Sequence, residues 1–405
     1  MTVNPTAPKP IPPMRLARTA WRRLHERGGR WVWRRIVEEV QVPTTLPGRS
    51  ANRALRRLMA WRDGLRGGAR REGDVRTLHA FYDLRVQPIT FDVLWFLVGA
   101  ELERRRQGLD RVQVVIVPGP HQGVRQEPAE YERVVGVEAR RWRIYNLLVP
   151  AAACLPTLAG VSVACSRAAA GEIAGSAGGR VYPTAYRVEL PVVHLADDIL
   201  AASGGDPSAS CLRAPAEALA SVDRWLASHA GGRRVVAITL RDYGFGQKRN
   251  SDLDAWTRFA RTLDPRVFLP VFVLDTETAF DQPAPSLGGF TIFHEAPWNL
   301  HLRAAFYQRA WLNMGVNTGP LGLCCLNAET RYLVFKFVVP DVAQTTEAFM
   351  RQHGFEPGRQ LSFATPVQKW VWADDSFEVL SAEFALMRAR IEALPPPATR
   401  ESPPR

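Results

Sequence analysis

Cysteine is scarce and irregular: Cys154, Cys165, Cys211, Cys324 and Cys325 are the five in 405 residues, and none shows C-x-x-C spacing. An odd count without paired spacing argues against a disulfide framework or a zinc ribbon, and fits reduced, mostly buried thiols of a cytosolic protein. The N-terminus lacks the apolar stretch of a signal peptide and carries prolines and scattered arginines instead. One long uncharged run, Leu147 to Cys165, is interrupted by Pro150, Pro156 and Gly160 and flanked by Arg141, Arg143 and Arg167, which argues against a membrane-spanning helix. No internal repeat is visible. An excess of one charge sign is also missing from most of the chain. The formal net charge is +12, but residues 1–75 hold 17 of the 52 Lys and Arg and only 6 of the 40 Asp and Glu, which leaves 35 against 34 in the rest. Outside that arm aromatic and basic residues do not interleave, so nucleic acid is not an expected partner.

What is present is a long α/β rhythm. With 46% hydrophobic residues the chain can bury one large core or two ordinary ones, and two are expected. Residues 1–76 read as a basic, partly helical and partly disordered extension, Pro-rich over 1–13. Helical periodicity over 14–40 carries Leu16, Trp21, Leu24, Trp31, Ile36 and Val37 among arginines, and a second helix over 51–65 carries Leu55, Leu58 and Trp61. Basic helices with tryptophans lie on anionic headgroups, so residues 14–66 are a candidate membrane surface. A solvated arm, or a helix packed on its own domain through its Trp faces, is the plainer account. From Thr77 the pattern is strand 78–84, helix 91–106 capped by Thr90, strand 112–117, helix 130–148 and strand 161–164. Past a loose stretch at 201–210 come helix 215–230, strand 235–240, helix 251–263, strand 267–274, short strand 291–294, helix 299–311, strand 312–316, short helix 320–326, strand 331–337 and a final helix 376–394. This predicts parallel sheets with helices on both faces: one Rossmann-like domain over 77–205, a second over 206–395, and a disordered tail at 396–405.

Open parallel sheets bind ligands outside the carboxyl ends of their strands, where free N–H groups meet anions. Strand 235–240 ends in Arg241-Asp242-Tyr243-Gly244, followed by Lys248-Arg249-Asn250 ahead of a helix that Ser251 can cap. A planar fork, a point charge and amides converging on one helix start form a diphosphate grip. The alternative is Arg241 paired with Asp242 or Asp275, and Lys248-Arg249 as an exposed turn. Strand 312–316 ends in the uncharged Asn317-Thr318-Gly319-Pro320, where Gly319 allows close backbone approach and Thr318 offers a hydroxyl. Taken alone it reads equally as an ordinary capped turn. Asp275 ends a third strand and suits a ribose or sugar hydroxyl; His294 with Glu295 ends a fourth on the same edge. Together these corners predict a nucleotide-diphosphate pocket. Asp252 and Asp254 have D-x-D spacing, but at a helix start they fit the macrodipole better than a metal, and none is expected. A hydroxyl attacking a sugar carbon must lose its proton to a base, for which Asp92, His121 and Glu127 are the candidates.

On these segments the chain resembles the GT-B superfamily of glycosyltransferases. Asn317-Thr318-Gly319-Pro320 resembles the Thr-Gly-Pro phosphate loop of heptosyltransferase-type enzymes, with Asn where Asp commonly stands first. The strand ending at Arg241, with its basic loop, resembles the arginine-bearing loop of O-fucosyltransferase-like enzymes, without a His-x-Arg-Arg signature after Val235. The resemblance covers residues 77–395 in architecture and only these segments in motif. It implies two Rossmann-like domains facing each other across a cleft, the nucleotide sugar held mainly by the second. It further implies transfer of a sugar from a nucleotide-diphosphate donor to a glycan or glycolipid precursor in cell-surface polysaccharide synthesis, with no cofactor besides the donor and no metal. The location implied is cytoplasmic, peripheral at the inner face of the plasma membrane. A nucleotide-sugar epimerase or hydrolase on the same plan, or a non-catalytic scaffold or binding protein, are the alternatives.

Overall fold

The computed structural model describes residues 29–31, 33–65, 76–193, 196–342 and 345–395. The Pro-rich segment at 1–13, most of the first arm helix and the tail lie outside the described residues. Strands β1 (Thr77–Asp83), β2 (Arg111–Val117), β3 (Leu158–Val163) and β4 (Val181–Tyr182) form a parallel sheet in the order β3-β2-β1-β4. A second parallel sheet holds β5 (Arg234–Thr239), β6 (Phe268–Val273), β7 (Thr291–Ile292), β8 (Leu312–Val316), β9 (Tyr332–Phe335) and β10 (Gln368–Val371), in the order β10-β9-β8-β5-β6-β7.

Parallel pairing requires crossovers, and these cover both faces of the second sheet. Along β5, Val235 and Ala237 enter one hydrophobic cluster while Val236 and Ile238 enter another. The first cluster also takes Leu78 and Tyr82 of β1, so one apolar body runs through both sheets. Trp95, on the helix Val93–Arg106, packs 5.7 Å from Phe355, and Arg213 N donates to Cys154 O at 2.8 Å, which further ties the units together. This is the α/β, two-sheet architecture that the alternation of strands and helices predicts.

Several local expectations are corrected. The long helix expected over 130–148 is interrupted between Ala129–Val134 and Val137–Arg143, and then runs on through a π-helical segment at Ile144–Leu148 into Val149–Ala152. Gly136 is extended between the first two pieces, and Pro150 has no N–H for the carbonyl four residues back. Thr90 does not cap the next helix: its hydroxyl donates to Asp92 Oδ2 at 2.8 Å, and Asp92 is the N-cap residue. Asp252 rather than Ser251 caps Leu253–Thr262, accepting from Ala255 N at 3.1 Å. The helix expected at 320–326 is a 3-10 turn, Gly319–Leu321, followed by Gly322–Cys325. β4, β10 and the helices Ala196–Ser203 and Glu347–Gln352 have no counterpart in the sequence reading.

Among the described residues no helix is long and apolar enough to cross a membrane. The second arm helix, Leu46–Leu65, does pack on its own protein, but not through its tryptophan: Arg49, Arg53 and Arg56 meet Asp197 and Asp198, while Trp61 is exposed.

Candidate functional site

β6, β5 and β8 are neighbours in the second sheet, so the chain segments leaving their carboxyl ends emerge along one rim. A cavity of about 720 Å³ lies there, closed on its other side by the first domain. From β5 it receives Arg241, Tyr243 and Arg249, from β6 Asp275, and from β8 Thr318, Gly319 and Pro320. The opposite wall includes Phe91, Asp92, Tyr131, Trp142 and Arg143. The two sequence corners touch: Arg249 Nη2 donates to Asn317 O at 3.0 Å. Gly319 is pressed against the first domain, since a Cβ there would lie 2.7 Å from Phe91 Cδ2. Glycine is required at that position by contact rather than by backbone angle.

The electrostatics of the rim are unusual. Arg241 is only 5% exposed, yet its guanidinium donates to neutral acceptors alone: Phe245 O at 2.6 Å, Gly246 O at 3.1 Å and Asn250 Oδ1. Among the described residues neither Arg241 nor Arg249 forms a salt bridge, and Arg249 Nε is buried without a partner. Burial lowers the pKa of Arg241, with the more distant Asp275 pulling the other way. Arg249 is pushed down to about 10 by burial and by the like charge of Arg241. Two cations that form no ion pair line one cavity, with the carboxylates of Asp275 and Glu277 farther off on its wall, and can seat an anion with two negative charges. Burial raises the pKa of Asp275 from its ordinary value, although Glu277 N donates to it at 3.1 Å.

Tyr243 joins the two walls. Arg143 Nη2, from the first domain, donates to its hydroxyl at 3.0 Å, and the guanidinium carbons of Arg241 and Arg143 lie 5.5 and 5.9 Å from its ring centre.

Of the residues expected at the site, Asp92, Arg241, Tyr243, Arg249, Asp275, Thr318, Gly319 and Pro320 line this one cavity. Others stand elsewhere. Asn250 clamps the loop, accepting from Tyr243 N at 3.2 Å as well as from Arg241, and Asn317 contributes its carbonyl to Arg249. Lys248 is exposed and bound to Asp341 at 2.6 Å, so it is not part of the grip. Gln247–Arg249 is a 3-10 turn, in which successive side chains point about 120° apart; Arg249 goes inward and Lys248 outward. His294 is exposed and off the cavity wall. His121 sits exposed in a tight turn bridged to Val124, and Glu127 is held by Arg125 at 2.6 Å; neither lines the cavity. Arg143, Tyr131, Trp142 and Trp298 line it without having been expected. The only signal for the first was the basic run Arg140-Arg141-Trp142-Arg143, whose direction depends on where the helix breaks.

No protein-family model matches the sequence, and no curated protein matches it. Among solved structures the chain is similar to a glycosyl transferase family 9 protein from Veillonella parvula, at 10% identity and a TM-score of 0.47, over 80% of this chain and 100% of that one. It is similar to the ADP-heptose LPS heptosyltransferase II of E. coli at 8% identity and 0.46, over 78% and 99%. A putative UDP-N-acetylglucosamine 2-epimerase from Listeria monocytogenes aligns at 12% and 0.34, over 78% and 88%.

Proposed function

We propose that the chain is a glycosyltransferase of GT-B type, which moves a sugar from a nucleotide-diphosphate donor to a glycan or lipid-linked precursor of a cell-surface polysaccharide. The observation that carries this reading is the pair Arg241 and Arg249, enclosed without salt bridges on the rim that also holds Thr318 and Gly319. When the bond between the sugar carbon and the diphosphate oxygen breaks, the leaving nucleotide gains negative charge. Fixed guanidiniums beside that oxygen stabilise the charge without having to reorganise. In this reading they supply the charge that a divalent cation would otherwise bring, and transfer needs no metal.

Asp275 then accepts a hydrogen bond from a ribose or sugar hydroxyl. Asp92, exposed on the facing wall and held by the Thr90 hydroxyl, takes the proton of the acceptor hydroxyl as the new carbon–oxygen bond forms. Of the three base candidates it is the one on the cavity wall. Reduced cysteines and a lipid-linked acceptor both fit work on the cytoplasmic side of a membrane.

Thermal denaturation with GDP, UDP, ADP and CDP tests the donor side. A ligand at a hundred times its Kd adds about 2.7 kcal/mol to native-state stability, so one base is expected to raise the melting temperature well above the others. No shift with any of the four removes the reading. With the matching sugar nucleotide, Asp92→Asn is expected to lower kcat by about 10²- to 10⁴-fold at unchanged nucleotide affinity. Conversion of the sugar nucleotide in the absence of any acceptor points to the epimerase alternative.

A further inference from the structure

The helix Leu46–Leu65 is built the wrong way round for a surface helix. With 3.6 residues per turn, Arg49, Asn52, Arg53, Arg56 and Met59 share one side. That side faces the protein: Arg49 is 3% exposed and bonds Asp197 at 3.2 Å, Arg53 Nε meets Asp198 at 3.0 Å, and Arg56 also reaches Asp198. Asn52 is fully buried and donates to Val40 O at 2.8 Å. The opposite side holds Leu46, Ala54, Leu58 and Trp61, with Arg57 and Arg62 among them, and all of these are exposed. Trp61 is 65% and Leu58 59% exposed.

The helical residues 33–41 just before it add exposed Trp33 and Ile36 beside Arg34 and Arg35, which both pair with Glu38 at 2.9 and 3.1 Å. Of the eleven large hydrophobic side chains exposed among the described residues, five fall between 33 and 61, so exposed apolar side chains are concentrated in this stretch of the chain.

The charge on this face decides what fits it. Its outward-facing positions between Leu46 and Arg62 include arginines and no carboxylate. A second copy would bring Arg57 and Arg62 against their own kind, and like charges facing each other across an interface are repulsive. Tryptophan and leucine bordered by guanidiniums match the chemistry of an anionic lipid interface, where the rings enter the headgroup boundary and the cations meet phosphates. We infer that the outward face of this helix, formed by Leu46, Leu58 and Trp61 with Arg57 and Arg62, seats the protein on an anionic membrane surface, with Trp33 and Ile36 of the preceding helical segment as further exposed apolar side chains. The salt bridges to Asp197 and Asp198 hold the helix in the orientation that keeps this face outward. This inference goes beyond the transferase reading and does not depend on it.

The test is co-sedimentation of the full chain with vesicles of equimolar phosphatidylglycerol and phosphatidylcholine, against vesicles of phosphatidylcholine alone. The chain is expected to bind the anionic vesicles, to bind the neutral ones much less, and to be partly released by salt. Leu58→Glu with Trp61→Glu is expected to weaken anionic-vesicle binding by roughly tenfold or more, because two apolar anchors are lost and two repelling charges gained. Both positions are solvent-facing, so the variant is expected to melt like the parent and to keep its response to nucleoside diphosphates, which separates this outcome from any failure of the transferase reading. Equal vesicle binding by parent and variant, or none by the parent, overturns the inference. So does a dimer of the parent that the same two substitutions dissociate, as read by light scattering.

Discussion

Two of the places where arginines turn inward in this protein differ in what faces them. Beneath the helix Leu46–Leu65, Arg49, Arg53 and Arg56 point at two carboxylates, Asp197 and Asp198. In the cleft, Arg241 and Arg249 point at carbonyl and amide oxygens. The first group carries its counter-charge within the chain and acts as a joint. The second forms no ion pair among the described residues, with Asp275 and Glu277 acting on Arg241 only from a distance, and a fold retains weakly compensated charge where something outside the chain completes it. An identical residue type thus reads as structure in one region and as a ligand seat in the other, and the neighbouring carboxylates make the difference.

The largest effect is expected at the joint. Asp197→Ala leaves Arg49 buried without its carboxylate, and breaking a pair on one side costs about 3 kcal/mol when the remaining charge stays enclosed. The melting temperature is expected to fall by several degrees while nucleoside-diphosphate affinity is unchanged. Adding Arg49→Met should recover much of the loss, since removing both partners of a buried pair is far less costly than removing one. A neutral Asp197→Ala would erase the distinction between the two arginine groups.

Next in size is Arg241→Ala, which sharpens the same contrast from the other side. Charged hydrogen bonds to a phosphate are each worth about 1.5 to 3 kcal/mol, so nucleoside-diphosphate affinity is expected to drop by about 10- to 100-fold in titration calorimetry. Stability should fall less than for Asp197→Ala, because only bonds to neutral loop oxygens are lost. A large loss of stability with affinity intact would make Arg241 a loop brace and nothing more.

How much of this could be read from the chain depends on what each residue's position depends on. The strand–helix alternation follows local periodicity, so strands such as Leu312–Val316 are legible and the two parallel sheets follow from them. That the segments after β5 and β8 meet is also legible, because adjacent parallel strands in an α/β sheet end on the same rim. Side-chain direction within a turn is not: Lys248 and Arg249 are neighbours of one charge, and only the 3-10 turn sends one to Asp341 and the other into the cavity. Nor is the far wall legible. Arg143 reaches Tyr243 from a helix that Gly136 interrupts at its start and that turns π-helical at Ile144–Leu148, where periodicity draws one continuous helix. The arm is the clearest case: its pattern leaves open a lipid surface, a solvated arm or packing through tryptophan, and the structure packs it through arginine because Asp197 and Asp198 lie on a helix, Ala196–Ser203, that periodicity does not reveal.

The smallest effect tests the comparison most closely, since it asks whether an enclosed arginine is dispensable to the fold. The pKa of Arg249 in the folded protein lies below the ordinary arginine value, at about 10. Its charged form is therefore penalised by folding at every pH below that, and the penalty fades only as pH rises through about 10. Methionine keeps most of the volume, removes the penalty and gives up one bond, to Asn317 O. Arg249→Met is thus expected to melt within about 1 kcal/mol of the parent at neutral pH, or slightly above it, and to keep that difference across the neutral range. Nucleoside-diphosphate affinity should still fall roughly tenfold. A variant that melts far below the parent, as Asp197→Ala is expected to, would show Arg249 tying the two corner loops together for stability. The cleft pair would then differ from the joint only in the identity of its acceptors.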